Sequence, residues 1–352
     1  MKILHICTIR AEANGVYLVL KNLIREQRKL GNDVRVINVC EKGVRNSDFE
    51  YSDNSRFEHF INEFHPDIVV FHGIFYKQVI LFSYLLRKKH IPYLIELHGA
   101  QSKENNKKSH LKKKLINLVF LNHVIRKAKG LIYLNKQEQE NSTVNHLAKK
   151  IFIIPNGCEP TSSVALHHPK EKKKFLYLSR INRVHKGLDY LIPAVKEAAK
   201  EGCNLHLSIY GRESSPEDLE WLKNEIQGCE GVIDFYGTVY GKEKEDAFIN
   251  SDFFILTSRY EGFPIAILEA WSYGLPCIIT PGTNVADLIQ ENDCGFVSPL
   301  NVDSLKKSIM NACAMSSTDV KRISKNCIDL ANNFSWEEIG KTSIAAYKEI
   351  IE

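Results

Sequence analysis

Short apolar runs alternate with longer stretches in which apolar side chains return every three or four positions, and the alternation persists along the whole chain. KILHICT (residues 2–8) reads as a buried strand. VYLVLKNLIREQRKLG, ending at Gly31, has helical spacing and a glycine where a helix would stop, and DVRVINV (residues 33–39) is a second strand. A strand, helix, strand opening implies a parallel sheet, because parallel neighbours need a crossover between them. DIVVFHG (residues 67–73), PYLIELHG (92–99), GLIYLN (130–135) and KKIFIIPNG (149–157) continue the strand series, with a helix after the first of these through Leu86. A polar stretch rich in Pro, Ser and Lys follows, without periodicity. The strand pattern then restarts at KFLYLSR (174–180) and continues through NLHLSIYG, VIDFYG, FFILTS and PCIIT to GFVSP, with helices between them. The last three segments, beginning at VDSLKKS, DVKRISK and SWEEIGK, read as helices. The pattern predicts an α/β protein of two doubly wound parallel-sheet domains: residues 1–158, a linker at 159–173, and residues 174–335.

The length of 352 residues supports two domains, since it exceeds what one hydrophobic core usually serves. The nine cysteines contain no C-x-x-C pair and several lie in apolar runs, so they read as buried thiols of a reducing, cytoplasmic compartment with no metal knuckle. No leader-type segment opens the sequence, and no run approaches the length of a spanning helix. Charge is uneven: Lys and Arg outnumber Asp and Glu by 26 to 15 in residues 1–160, and are outnumbered 21 to 27 thereafter. The basic half contains KKSHLKKKLINLVFLNHVIRKAK (residues 107–129), in which apolar positions recur at helical spacing among eight Lys and Arg. A basic amphipathic helix of this kind can lie on an anionic membrane surface, although a solvated helix face has the same composition.

The chemistry concentrates in SRYEGFPIAILEAWSYGLPCIIT (residues 258–280). An apolar strand leads into an acidic turn containing Gly262, Phe263 and Pro264, and a helix begins near Ile265 and Ala266. Glu261 and Glu269 therefore flank a helix N-terminus, where unpaired amides and the helix dipole favour a phosphate. Carboxylates accept hydrogen bonds only, so beside a phosphate they suit hydroxyl groups, and a ligand with a central phosphate and hydroxyls at both ends is a nucleotide sugar. His72 and His98 both fall at carboxyl ends of predicted strands, where open α/β sheets bind ligands. A structural histidine bonded to a nearby carbonyl is the plainer reading of each. Asn14 and Gly15, in the loop after the first strand, fit either a phosphate-approaching turn or an ordinary helix start. That loop has no G-x-G-x-x-G, which argues against a dinucleotide-dependent dehydrogenase.

In order along the chain, PNGCE, LSRINRVHKGLDYLI, IYG, FYGTV, SDFFILTSRYEGFPIAILEA and GLPCIIT resemble the motifs of retaining glycosyltransferases of the GT-B fold, the glycosyl transferases group 1 family. The resemblance covers nearly the whole chain. It implies two Rossmann-like domains facing a common cleft, the second holding the donor and the first the acceptor, with residues 336–352 crossing back onto the first. It implies that Arg180 and Lys186 hold the donor diphosphate, helped by amides near Ile265 and Ala266, and that Gly211 is the strand-end glycine. Glu269 would take the ribose hydroxyls, Glu261 the transferred sugar, and the segment 236–240 the base. His98 would support the reacting end, and Asn14 with Gly15 would match the loop that closes on the phosphate. The chain departs from the family in having Asn-Gly where two glycines are usual, and in one extra residue between Arg180 and Lys186, which makes Arg183 a further candidate for the phosphate role. The departing phosphate would take the acceptor's proton. With cations already at the diphosphate and no Asp-x-Asp in the chain, neither a metal nor a cofactor is expected. The implied partners are a nucleotide diphosphate sugar, UDP-linked before GDP-linked, and a polysaccharide or lipid-linked glycan; nucleic acid is not among them. A nucleotide-sugar epimerase of the same fold and a glycosyltransferase-like binding subunit without activity are the alternatives.

Overall fold

The computed structural model describes residues 1–12, 15–98, 120–161, 164–165 and 172–352. Asn14 and the first part of the basic segment, residues 107–119, lie outside the described residues. The chain divides into two compact units, Met1–Gly157 with Trp336–Glu352, and Cys158–Ser335.

The first unit is built on seven parallel strands: β1 (Lys2–Cys7), β2 (Asp33–Asn38), β3 (Phe49–Tyr51), β4 (Ile68–His72), β5 (Tyr93–Glu96), β6 (Gly130–Tyr133) and β7 (Ile151–Ile153). Their order across the sheet is β3-β2-β1-β4-β5-β6-β7, so strand order reverses at the β1/β4 pair. β1, β4 and β5 are almost wholly buried because helices cover both faces, which is why they read as continuous apolar runs rather than alternating ones. In the parallel register His5 lies opposite Val70, and His72, two residues on, lies opposite Glu96. The two-residue period then puts the side chains of His5, His72 and Glu96 on one face of the sheet. The helix Gly15–Lys29 packs against the helix Trp336–Ile351, where Gly340 lets the backbones approach: a Cβ there would stand 2.8 Å from Glu26 Cβ.

β3 and the helix Asn54–Phe64 of this unit escaped the sequence reading, as did the short helices Lys136–Asn141 and Asn145–Leu147. β3 is three residues with a charged centre, too short to show periodicity. The helix Asn54–Phe64 did carry signals, since the Asp53 carboxylate caps it by accepting from the Ser55 and Arg56 amides, both at 3.0 Å, and Phe57, Ile61 and Phe64 line its buried side. Of the basic amphipathic segment, the described part contains the short helix Asn122–Lys127, with Val124 and Ile125 buried and Arg126 and Lys127 exposed. Among the described residues no helix is long and apolar enough to cross a membrane.

The second unit has six parallel strands, β8 (Lys173–Leu178), β9 (Leu205–Tyr210), β10 (Ile233–Phe235), β11 (Phe253–Leu256), β12 (Cys277–Ile279) and β13 (Gly295–Val297), ordered β10-β9-β8-β11-β12-β13. Order again reverses at the first strand, between β8 and β11. All nine cysteines are free. The reading of two doubly wound α/β sheets holds.

Candidate functional site

In the second unit the loops after β8 and β11 meet at the reversal of strand order, and buried polar contacts fix them to each other. The loop after β8 is held by Tyr177, whose hydroxyl donates to the Arg180 carbonyl at 3.0 Å, and by Asn182, whose side chain accepts from the His185 amide at 2.8 Å. Gly187 sits at φ +68 before the helix Leu188–Lys200, and a Cβ at that position would lie 2.0 Å from the Thr257 carbonyl oxygen. Only glycine satisfies both the left-handed backbone and that approach. Thr257 returns a hydrogen bond from its hydroxyl to the Lys186 carbonyl at 3.0 Å. This docking drives the neighbouring Lys186 side chain into the turn after β11, where its ammonium pairs with Glu261 Oε1. The pair is nearly closed from water, with 8% of the Lys186 side chain and 14% of the Glu261 side chain exposed.

Glu261 is held from three sides. Ser258 donates to the same Oε1 at 2.6 Å, and the Asn284 amide donates to the Glu261 backbone carbonyl at 2.6 Å. Arg259 forms a two-pronged ion pair with Asp189 at 2.7 and 2.9 Å, and His185 stacks on Tyr260 at 4.0 Å while bonding its carbonyl. Burial pulls the His185 imidazole below its ordinary pKa, partly offset by the Glu261 charge. Just beyond, the helix Ile265–Ser272 starts after Pro264 with no side-chain cap. The Pro264 carbonyl takes the amides of Ile267 and Leu268, and no partner for the Ile265 and Ala266 amides occurs among the described residues. Glu269, one turn in, pairs through Oε1 with Lys244 at 2.6 Å.

The expected residues of this unit are therefore largely brought together. Gly262, Pro264, Ile265 and Ala266 are half-buried around the helix start, whereas Phe263 is buried against Phe334, at 5.4 Å between rings, and offers its backbone alone. Gly211 closes β9 against the Ser179 carbonyl, and beside it Tyr210 stacks on Tyr236 at 5.0 Å, with Tyr236 and Tyr240 exposed. Arg180 is exposed, and no ion pair to it occurs among the described residues. The Arg183 guanidinium lies over the Trp221 ring at 4.9 Å and its amide donates to Asp218 at 2.9 Å. Ser258, Asn284, Lys244 and the Arg259–Asp189 pair went unread in the sequence. Ser258 and Arg259 lie inside the quoted motif but carry no distinctive spacing.

In the first unit, His72 and His98 do meet, within a longer buried chain. Ser343 donates to the Gly340 carbonyl at 2.8 Å and accepts from Gln27 Nε2 at 2.9 Å; Gln27 Oε1 faces His5 Nε2 at 2.8 Å, and His5 Nδ1 faces His72 Nε2 at 2.9 Å. His72 Nδ1 then lies 2.9 Å from Glu96 Oε2 and 3.3 Å from His98 Nε2. His98 Nε2 is 3.4 Å from Glu96 Oε1. His72 is thus tied to a carboxylate and two rings rather than to a carbonyl. Burial holds His5 and His72 down to about 3, lowers His98, and raises Glu96, the last opposed by His98 and His5. His98 adopts φ +47, uncommon outside glycine and a sign of constraint. Gly15 opens the helix Gly15–Lys29 and is exposed.

Residues 159–328, most of the second unit, match the family described as Glycosyl transferases group 1. A galactosyltransferase from Escherichia coli, named as acting from UDP-Gal on GlcNAc-diphosphoundecaprenol, is 37% identical over 203 residues, covering 53% of this chain and 51% of that protein. An uncharacterised glycosyltransferase of Methanocaldococcus jannaschii is 26% identical, covering 61% of this chain and 58% of its own. Over the first relatives matched, the chain spans between 27% and 58% of their length. Among solved structures, the lipopolysaccharide galactosyltransferase WaaB superposes with a TM-score of 0.75 at 17% identity, over 99% of both chains. Anabaena HepE, in complex with UDP and glucose, superposes at 0.78 and 18%, over 99% of this chain and all of that one. The second unit thus matches the glycosyl transferases group 1 family in sequence, and the whole chain has the GT-B architecture of two Rossmann-like units.

Proposed function

We propose that the chain transfers a sugar, with retention of configuration, from a nucleotide diphosphate sugar to a polysaccharide or lipid-linked glycan. The observation that carries this reading is the buried Lys186–Glu261 pair beside two unbonded amides at the start of the helix Ile265–Ser272. An ammonium and aligned amides are the groups a diphosphate needs as it departs with growing negative charge. Both contacts to Glu261 use Oε1, and Lys244 likewise uses Oε1 of Glu269. Each carboxylate keeps its second oxygen for a hydroxyl, Glu261 for the sugar and Glu269 for the ribose. Arg180, exposed at the rim, adds charge at the diphosphate, so no metal is assigned there. Tyr236 and Tyr240 offer aromatic faces to the base. His98 supports the reacting sugar and acceptor from the first unit.

A UDP-linked donor is favoured because UDP is named with two of the relatives, and a lipid-linked acceptor because one of them acts on such a substrate. The basic segment 107–129 adds an anionic membrane surface as a proposed partner, and on this reading the enzyme works at the inner face of the plasma membrane. Flotation with anionic vesicles at low salt tests this, and protein left at the bottom argues for a soluble acceptor.

The donor reading is tested by a thermal-shift panel of UDP-, GDP- and ADP-sugars, since a ligand that binds only the folded state raises its melting temperature. A shift with a UDP-sugar that disappears in Lys186→Met supports it, and an unchanged melting temperature across the panel sinks it. Product analysis with and without a glycan acceptor then separates transfer from epimerisation, which would convert the donor alone.

A further inference from the structure

We infer that the outer face of the helix Lys77–Lys88 docks on an anionic lipid bilayer, with Leu81 and Tyr84 entering the layer between headgroups and chains while Lys77 and Lys88 lie against the headgroups. The inference rests on the membrane partner proposed above and gives it a contact outside the basic segment. The inner side of this helix packs into the core of the first unit: Val79, Phe82 and Leu86 are buried, with Phe82 stacked on Phe57 at 3.6 Å between rings. At about 100° per residue, Lys77, Leu81, Tyr84 and Lys88 fall on the opposite side, in one stripe about 16 Å long. All four are exposed, Leu81 at 49% and Tyr84 at 64%. A surface helix of a globular domain carries polar groups along that side, so an apolar centre there leaves this helix apolar on two faces.

The adjoining elements extend the pattern. Phe75, just ahead of the helix, is 53% exposed, and so is Phe120, just ahead of the helix Asn122–Lys127. This second helix is fastened to the first by Arg87, whose guanidinium donates to His123 Nε2 at 2.8 Å, and it exposes Arg126 and Lys127. Charge is of one sign here: residues 68–95 contain no Asp or Glu, and neither do residues 120–135. The carboxylate of Glu58, on the helix Asn54–Phe64, is met by Lys89 at 3.7 Å. A single exposed apolar side chain is ordinary on any protein. A leucine and a tyrosine in one stripe, bracketed by lysines, have the composition of an interfacial helix, whose rings and aliphatic carbons settle at headgroup level while the ammonium groups reach outward. A stable protein partner covers about 800 Å² on each side with matched shape, whereas a fluid bilayer takes up separate protruding side chains one by one.

The test is flotation of the full-length protein with phosphatidylcholine vesicles, with and without phosphatidylglycerol. We expect binding that needs the anionic lipid at low salt, part of which survives at high salt because an apolar contact is not screened. Leu81→Glu combined with Tyr84→Glu should lower the vesicle partition at least tenfold without moving the melting temperature or its shift with a UDP-sugar. Lys77→Gln and Lys88→Gln should each lower it about fivefold, at low salt alone. A Leu81 and Tyr84 double variant that floats like wild type overturns the docking face; if Arg126→Gln with Lys127→Gln then weakens flotation, the basic segment binds the membrane by itself and the partner stands without this face. Wild-type protein that stays at the bottom under all conditions sinks both. Sedimentation showing a dimer that Leu81→Glu dissolves would assign the face to a second copy of the chain and refute the bilayer. Should the glutamates prevent folding, Tyr84→Trp decides: brominated lipids quench the added fluorescence if the ring enters the bilayer, and added fluorescence left unquenched in vesicle-bound protein refutes the insertion.

Discussion

The two units place polar groups at the same position, the carboxyl ends of strands flanking the reversal of sheet order, and solve the burial problem in opposite ways. In the second unit Lys186 and Glu261 are brought in as a charge pair, with Ser258 bracing the carboxylate. In the first unit the histidines are neutral, and one direction of donation runs from His72 through His5 and Gln27 to Ser343. An ion pair under cover is costly to assemble and more costly to break, while a chain of neutral donors and acceptors is cheap until a proton is added. The difference teaches where each unit is vulnerable. The second depends on keeping both partners, the first on staying uncharged.

The largest effect should follow from removing one charge. Lys186→Met keeps the volume but strands Glu261, and should cost the second unit about 3 to 5 kcal/mol. Hydrogen exchange resolved by unit should show the loss confined to residues 158–335, and equal protection in both units would remove the contrast. Acid should act on the other unit. His5 and His72 are neutral in the fold with pKa values near 3, against 6.5 when unfolded, so the unfolded chain takes up protons first as pH falls. Their contribution is whole above pH 6.5 and is lost progressively between 6.5 and about 3, each histidine removing about 1.4 kcal/mol per pH unit. Glu96, raised by burial, acts in the reverse sense: the fold retains its proton at a pH where the unfolded chain has released it, and this recovers part of the loss. Calorimetry from pH 7 to pH 5 should show the first unit melting earlier while the second changes less, and matching shifts would contradict the neutral chain. The smallest effect is expected from Ser258→Ala, which removes one hydrogen bond to a carboxylate that keeps its lysine. A cost of about 1 to 2 kcal/mol to the second unit, read from chemical denaturation, would rank Ser258 as a brace; a cost equal to that of Lys186→Met would make it a full member of the pair.

How much of this was legible in the sequence follows the same division. Parallel strands buried on both faces have to be apolar throughout, so both sheets could be read from runs such as FFILTS and KILHICT. The cluster of the second unit was legible too, because Glu261, the helix start at Ile265 and Glu269 follow one another within a dozen residues, and their geometry is set by one local turn. The ion pair between Lys186 and Glu261 was not legible. It arises from the docking of Gly187 on Thr257, a contact between two loops brought together only by the sheet. The chain of the first unit is more scattered, joining positions 5, 27, 72, 96, 98 and 343. Its traces in the sequence were His72 and His98, read at the carboxyl ends of their strands, and the polar residues set in otherwise apolar strands, His5 in KILHIC and Glu96 in YLIE, which were not weighed.

The membership of Trp336–Glu352 in the first unit has a consequence for how that unit comes into being. Ser343 ends the chain of donors that begins at the strands, and Gly340 gives the helix its seat on Glu26. During synthesis, residues 1–157 emerge with Gln27 and the Glu26 face uncovered, and they stay so until the ribosome has passed through the whole of the second unit. The order of maturation is then the reverse of the order of translation: the later-made unit can finish first, and the earlier one waits for its missing helix, a window in which a chaperone would find its natural target.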